Sequence, residues 1–356
     1  MKRRNFLRVM GGAAGAVALQ TPAMFSADFV EQSKPEAMPQ RELGRTGMKL
    51  SVIGFPGLAL NQKQYTQEQC NEGVKQAFAA GVNYFDTAPA YGTCEERMGI
   101  ALQGLDRKKL FVGCKTKMRD AAGAKTELER SLQRLKTDYF DLYQIHHLRR
   151  PEEVQQVLGP GGAMETIVKA REEGRVKAIG FSANTTKAAL AALRGFKFDS
   201  VMFPITYVEF FLRDFGREVM ELANEKGASI IAMKYMCKGA WLDPKEKSRQ
   251  WWYRTMEEAR EVNLAVRWSL SQKGVVTGIA PSFLDLFTKS VRAGYQYQPI
   301  TAEETAELRT SAKACKSLFE AQEREVALHG VHGEEEFMHA YYNYPGHECS
   351  TQEVRT

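Results

Sequence analysis

Eight short apolar runs rich in β-forming residues predict a closed (β/α)8 barrel, the TIM barrel, in which strands and helices alternate. The spacing between successive runs averages about 32 residues, which is close to the length of one strand-helix-strand unit. Helical patterns fill the intervals, and several of them end in glycine, as helices commonly do.

The predicted strands occupy, in order, residues 50–54, 82–85, 110–113, 139–145, 176–180, 200–203, 228–233 and 275–279. The clearest predicted helices lie between them, at 67–80, 125–136, 164–173, 217–226 and 257–271. An open, doubly wound sheet is the alternative. It is disfavoured because Gly54-Phe55-Pro56-Gly57 follows the first strand, where a dinucleotide-binding sheet carries G-x-G-x-x-G.

Both flanks of the predicted barrel carry additional elements. Residues 41–50, with a turn at 44–47, predict a hairpin that plugs the N-terminal mouth. From residue 299 the chain becomes polar and charged, with one long helical pattern over 302–328 and an aromatic tail at 337–344. We therefore expect a signal segment at 1–27, a linker at 28–40, a barrel at 41–298 and a C-terminal helical extension with its tail at 299–356.

Residues 1–27 have the features of a targeting segment. Arg3 and Arg4 lie in a basic stretch, Phe6-Leu7 follows them, and the uncharged run at 9–19 is too short to span a bilayer. Paired arginines before Phe-Leu resemble a twin-arginine export signal. The resemblance implies the twin-arginine export machinery as a partner and a periplasmic location, with the protein either released or anchored by an uncleaved leader.

The composition and net charge of the chain argue against several classes of function. The chain has 356 residues, 44% of them hydrophobic, so it can bury a large core. Its net charge of +6 is concentrated in the leader, and a nearly neutral body argues against a nucleic-acid partner. Outside the leader we expect no stable membrane span. The six cysteines form no C-x-x-C pair, so we expect mostly buried free thiols.

Polar residues follow several predicted strands, at the end of the barrel where chemistry takes place. Asp86, Lys115 and His146 end the second, third and fourth strands, and Tyr91 follows shortly after Asp86. Together they form a proton-transfer set. A nearby ammonium is expected to lower the pKa of a tyrosine from its usual value of about 10, which would ease proton donation, and the histidine would orient a carbonyl oxygen.

A metal site is not predicted. His146 and His147 are adjacent, but neighbouring residues of a strand point to opposite faces of the sheet, so we do not expect them to share a ligand.

Three longer blocks carry these residues: 81–92, 110–115 and 138–146, together with the opening Arg-Glu-Leu-Gly-Arg-Thr-Gly at 41–47. The sequence resembles the aldo/keto reductase family from about residue 41 to 292. The resemblance implies a (β/α)8 barrel that uses NADP, with NAD as the alternative, to transfer a hydride to or from a small carbonyl, alcohol or sugar substrate. It also implies that Asp86, Tyr91, Lys115 and His146 are catalytic, with Tyr91 as the general acid and base.

The resemblance also implies residues for the cofactor: Ser182 and Asn184 at the nicotinamide, Lys234 near the diphosphate and Ser282 in the turn after the last strand. The sequence departs from the family pattern here. Ala183 separates the serine from the asparagine, and Met202 and Ile205 replace the usual glutamine and tyrosine of the sixth strand.

Two further functions remain open on the sequence. Because some of the family's usual nicotinamide-binding residues are replaced, the sequence is also compatible with a barrel that holds its cofactor without turnover. Such a protein would act as a redox sensor or as a partner-binding subunit. An epimerase with a tightly bound nicotinamide, in which the hydride leaves and returns to one substrate, has the same residue requirements.

Overall fold

The computed structural model describes residues 38–328 except 244 and 246. The predicted signal segment at 1–27, most of the linker and the aromatic tail at 337–344 lie outside the described residues.

Eight parallel strands close into a barrel, which confirms the predicted fold. Each strand pairs with its neighbours in chain order, and the last closes on the first, as in a (β/α)8 barrel. The barrel strands are β3 (Ile53–Pro56), β4 (Tyr84–Asp86), β5 (Phe111–Thr116), β6 (Phe140–Leu148), β7 (Val176–Ala183), β8 (Ser200–Pro204), β9 (Ser229–Met233) and β10 (Val275–Ile279).

Helices surround this barrel, and their amphipathic faces pack on the strands. They are α1 (Gln67–Ala79), α2 (Cys94–Ala101), α3 (Ala121–Leu135), α4 (Pro151–Leu158), α5 (Ala163–Glu172), α6 (Thr186–Gly195), α7 (Tyr207–Arg213), α8 (Arg217–Lys226), α9 (Ala259–Leu270) and α10 (Leu284–Tyr295). Four of them begin at a residue whose side chain caps the helix. Thr66, for example, accepts a hydrogen bond from the backbone N of Gln69 and forms a capping box before α1.

The predicted hairpin is also present. Strand β1 (Gln40–Glu42) pairs antiparallel with β2 (Lys49–Ser51). Leu43 and Leu50 from this hairpin are fully buried, and they pack on residues inside the barrel such as Tyr84, Phe111 and Leu142. Because these barrel residues lie at or near the starts of their strands, the hairpin fills the N-terminal mouth and leaves the opposite mouth for a site.

The C-terminal extension differs from the prediction. The prediction of one continuous helix over 302–328 is wrong. The structure has two helices, α11 (Ala302–Ala312) and α12 (Glu320–Leu328), with a break between them. Within this break the buried carboxylate of Glu209 accepts hydrogen bonds at 2.6 Å from the Ser317 hydroxyl and from the backbone N of Leu318. The Leu318 N–H therefore pairs with a side chain and not with a helical carbonyl.

Across residues 38–328, no helix is long and apolar enough to cross a membrane. The five cysteines in this part of the chain are free thiols, four of them buried.

Candidate active site

A cavity of about 150 Å³ opens at the C-terminal ends of the barrel strands. Seven of the eight residues predicted from the sequence line it, and the eighth, Lys115, lies directly behind the wall. The lining comprises Leu58, Asp86, Ala90, Tyr91, His146, His147, Ser182, Asn184, Met202, Met233, Lys234, Trp251, Trp252, Tyr253, Ile279, Ala280, Pro281 and Ser282.

Lys115 and Asp86 form a buried ion pair at the base of this cavity. The Nζ atom of Lys115 lies 2.5 Å from Oδ2 of Asp86, and the two side chains are 0% and 3% exposed. Lys115 also donates to the carbonyl oxygen of Thr87 at 2.9 Å, and the Tyr84 hydroxyl donates to Oδ1 of Asp86 at 2.9 Å. These extra hydrogen bonds offset the cost of removing two charges from water.

Tyr91 stands above this pair, at the end of a short 3-10 turn (Pro89–Tyr91). The Lys115 ammonium lies 5.0 Å from the centroid of the Tyr91 ring. Burial, and then the nearby Asp86 carboxylate, raise the pKa of the Tyr91 phenol well above its usual value. The expected lowering by Lys115 is therefore wrong for this structure, because the ammonium is neutralised by its carboxylate partner.

His146 lies beside Tyr91, with the two ring centroids 5.5 Å apart and the rings nearly perpendicular. Burial, followed by the charge of Lys115, lowers the pKa of His146 well below its usual value, so the imidazole is neutral at pH 7. Its Nδ1 atom has no hydrogen-bond partner among the described residues. The imidazole therefore has one nitrogen to donate and one to accept, as a group that orients a carbonyl oxygen requires.

His147 also lines the cavity, so the prediction that the two histidines face opposite sides of the sheet is wrong. Strand β6 has an irregularity that sets His146 and His147 against the single residue Ser182 of β7. The backbone N of His147 donates to the Ser182 hydroxyl at 2.7 Å, and its φ is 61°. This bulge turns both imidazoles toward the same opening.

The polar residues predicted for the cofactor all line the cavity. The Ser182 hydroxyl accepts the hydrogen bond from the His147 backbone at the bulge, Asn184 is 1% exposed, and Ser282 is 6% exposed. Met202 also lines the cavity, while Ile205 is buried and is not among the lining residues. The insertion of Ala183 therefore leaves Asn184 within the cavity lining.

Lys234 follows β9 with a φ of 61°, which is unusual for a residue other than glycine. Its Nζ atom lies 3.4 Å from Oδ1 of Asn184 and 5.5 Å and 5.8 Å from the ring centroids of Trp252 and Phe319. Burial lowers the pKa of Lys234 to about 7. The amine is thus in the cavity lining, between a polar side chain and two aromatic rings.

Sequence reasoning missed an aromatic wall. Trp251, Trp252 and Tyr253 belong to the long segment between β9 and α9, and all three line the cavity. Trp252 and Tyr253 pack edge to face with ring centroids 4.8 Å apart. The run of three aromatic residues was the available signal, because such residues seldom gather in a solvated loop.

The described part of the chain contains no group of three or more His, Cys, Asp or Glu side chains placed to hold a metal ion. The pair of imidazoles in the cavity lacks a third ligand of that kind.

The model of the Aldo/keto reductase family matches residues 52–313 of this chain. The protein named "Probable aldo-keto reductase 1" from Glycine max is 27% identical over 218 residues, which is 56% of this chain and 59% of that protein. The L-galactose dehydrogenase of Arabidopsis thaliana is 28% identical over 154 residues, 40% of this chain and 47% of that enzyme. The chain thus spans about half the length of these curated relatives.

Among solved structures, the holo form of an aldo-keto reductase from Bacillus halodurans is similar, with a TM-score of 0.63 and 22% identity. The match covers 80% of this chain and 99% of that one. At this identity the similarity supports the fold.

Proposed function

This chain belongs to the aldo/keto reductase family, and from that membership we propose that it is an oxidoreductase acting on a carbonyl or alcohol substrate with a nicotinamide cofactor. The observation that carries the proposal is the buried Lys115–Asp86 pair beneath Tyr91, with His146 edge-on to the phenol. A tyrosine, a cation and a neutral imidazole that converge on one opening are the groups that proton transfer to a carbonyl oxygen requires.

In the direction of reduction, Tyr91 donates its phenolic proton to the substrate oxygen. A phenol has an ordinary pKa of about 10, and burial raises the pKa of Tyr91 further, so this phenol is protonated at neutral pH. His146 is neutral, so it donates a hydrogen bond to the same oxygen without competing for the proton. As the proton leaves, Lys115 stabilises the developing phenolate, since its Nζ atom lies 5.0 Å from the centroid of the Tyr91 ring, while Asp86 holds the ammonium in position.

The cavity lining offers groups suited to the nicotinamide end of a dinucleotide. Ser182 and Asn184 offer a hydroxyl and an amide suited to a carboxamide, and Ser282 adds a hydroxyl. When bound, the cofactor supplies or accepts the hydride. We propose NADP as the cofactor, with NAD as the alternative.

The proposed substrates are aldehydes, ketones and sugars. Trp251, Trp252 and Tyr253 form an apolar wall on which a ring can stack. The similarity to an L-galactose dehydrogenase supports including sugars in the first screen.

We also propose that the protein is exported to the periplasm through the twin-arginine route. The support is the sequence of the leader, in which Arg3 and Arg4 precede Phe6-Leu7 and a short uncharged run.

The test is a reduction assay with the purified full-length protein. NADPH and NADH are each offered with a panel of aromatic aldehydes, aliphatic ketones and aldoses, and loss of the reduced cofactor's absorbance is matched to the alcohol formed, identified by chromatography. Reduction of at least one carbonyl, and its loss in Tyr91→Phe, is the expected result. If no carbonyl is reduced and neither cofactor binds, as judged by fluorescence titration, the proposed function is wrong.

A further inference from the structure

Two residues of the cavity wall share an unusual backbone conformation. Among the described residues, four other than glycine have a positive φ, and two of these, Lys136 and Asp214, end helices α3 and α7 in the ordinary way. The other two are His147 and Lys234, each with a φ of 61° at the carboxyl end of a barrel strand. Strained backbone of this kind persists where the surrounding structure holds it, and it gathers at functional sites.

Hydrogen bonds hold His147 in this conformation. The backbone N of His147 donates to Ser182, and its carbonyl oxygen accepts a hydrogen bond from Nη2 of Arg119 at 3.3 Å. Arg119 is itself fixed by Glu153 at 2.8 Å. The side chains of His147 and Lys234 line the same cavity.

No carboxylate among the described lining residues neutralises Lys234. Asp86 is the only carboxylate among its described lining residues, and it is already bound to Lys115. No carboxylate among the described residues forms an ion pair with Lys234, whose nearest polar contacts are Asn184 and the sulfur of Met233.

His147 contributes a neutral imidazole to the same cavity. Burial lowers its pKa first, and the charges of Lys117, Arg149, Lys234 and Arg119 lower it further. The uncharged ring can donate a hydrogen bond to an anion that Lys234 attracts.

We propose that His147 and Lys234 bind an anionic group, a carboxylate or a phosphate, at the end of the substrate remote from its carbonyl. This inference rests on the proposed function. The ring of His146 lies 5.5 Å from that of Tyr91 and 6.2 Å from that of His147. A small molecule whose carbonyl oxygen reaches Tyr91 therefore reaches His147 with its other end. The preferred substrates are anionic aldehydes or ketones.

The test compares two aldehydes of similar size and reactivity, 4-carboxybenzaldehyde and 4-nitrobenzaldehyde. The variants are Lys234→Asn and His147→Asn, because asparagine tolerates a positive φ. Lys169→Met, which changes a side chain that is 75% exposed, is the matched control. The ratio of kcat/KM for the carboxylated over the nitro aldehyde is expected to fall by roughly tenfold to a hundredfold in Lys234→Asn, as for a lost hydrogen bond to a charged group, and to stay constant in the control.

An equal fall for both aldehydes overturns the proposal. A raised KM for NADPH with an unchanged aldehyde ratio assigns the cations to a cofactor phosphate and also overturns it. If the wild-type protein reduces neither aldehyde, the proposed function is judged by the wider carbonyl panel, and the anion site is tested separately by tryptophan fluorescence, with Trp252 beside Lys234 as the reporter. Saturable quenching by benzoate that is absent with benzyl alcohol and lost in Lys234→Asn supports the site, and the lack of such quenching overturns it.

Discussion

The Nζ atom of Lys115 lies 2.5 Å from Oδ2 of Asp86 and directly below the ring of Tyr91. The carboxylate offsets the charge of the ammonium in the resting site, where the phenol is protonated. In the proposed mechanism, negative charge develops on the phenol oxygen as the proton leaves, and the ammonium stabilises that charge. The ion pair would therefore act on the transition state more than on the resting site, which is the requirement for catalysis.

Tyr91→Phe removes one oxygen and almost no volume, so we expect the fold to be retained. Carbonyl reduction should fall by roughly 10²–10⁴-fold, the usual effect of losing a general acid. Steady-state rates on the best substrate, with cofactor affinity measured by fluorescence, provide the comparison. Near-normal turnover in Tyr91→Phe would exclude Tyr91 as the proton donor.

Lys115→Met leaves the Asp86 carboxylate buried without its cation. Removing one member of a buried pair costs roughly 3–5 kcal/mol, so the free energy of unfolding in urea should fall by about that amount along with activity. Lys177→Met is the matched control, since it breaks a pair with Asp141 in which the lysine is 45% exposed, and it should cost less than about 1 kcal/mol. Equal losses in the two variants would contradict this account of the buried pair.

The barrel was predictable because the sequence pattern of each strand is local and recurs along the chain. Each strand is an apolar run of its own, and the spacing of the runs does not depend on distant contacts. The convergence of Asp86, Lys115 and His146 on one end of the barrel was predictable for the same reason, since each lies at or near the carboxyl end of its strand. The position of His147 was not predictable, because the bulge depends on Ser182 and Arg119, which belong to other segments of the chain.

The break between α11 and α12 has a similar origin. Residues 302–328 have a continuous helical pattern, but the segment between the two helices is bound by the carboxylate of Glu209, 108 residues before Ser317. Helical periodicity describes a segment by itself, so it cannot report a hydrogen bond offered by a distant buried side chain.

Binding of an anion should weaken as pH rises through the pKa of Lys234, which burial lowers to about 7. Only the protonated amine attracts the anion, so the affinity for benzoate is full below that pKa and is lost above it, by about tenfold per pH unit well above the pKa. His147 stays neutral over this range because its pKa is well below the usual value, and burial keeps the neighbouring Cys237 thiol protonated. Fluorescence titrations from pH 6 to pH 9 should show this decline in the wild type and a flat profile in Lys234→Asn.

Changing Arg3 and Arg4 together to lysine should keep the protein in the cytoplasm. The two substitutions conserve charge but remove the guanidinium groups that the twin-arginine pathway reads. Arg8→Lys is the control, since it makes the same chemical change outside the pair. Immunoblots of periplasmic and cytoplasmic fractions measure the outcome, and equal export of the double variant and the wild type would refute the twin-arginine assignment.

Glu209→Ala should loosen the segment that covers Lys234. The carboxylate holds Ser317 and Leu318 at 2.6 Å, and the next residue, Phe319, stacks on Phe215 with ring centroids 5.1 Å apart. Because the ring centroid of Phe319 also lies 5.8 Å from the Lys234 ammonium, freeing residues 317–318 should expose that amine and speed the loss of any ligand it binds.

For Glu209→Ala we expect faster dissociation of benzoate or NADPH in stopped-flow fluorescence and a stability loss of about 1–3 kcal/mol. Glu225→Ala, which changes a side chain that is 70% exposed, should do neither. Unchanged dissociation rates despite the lost stability would show that the contact holds the fold together without controlling access to the cavity.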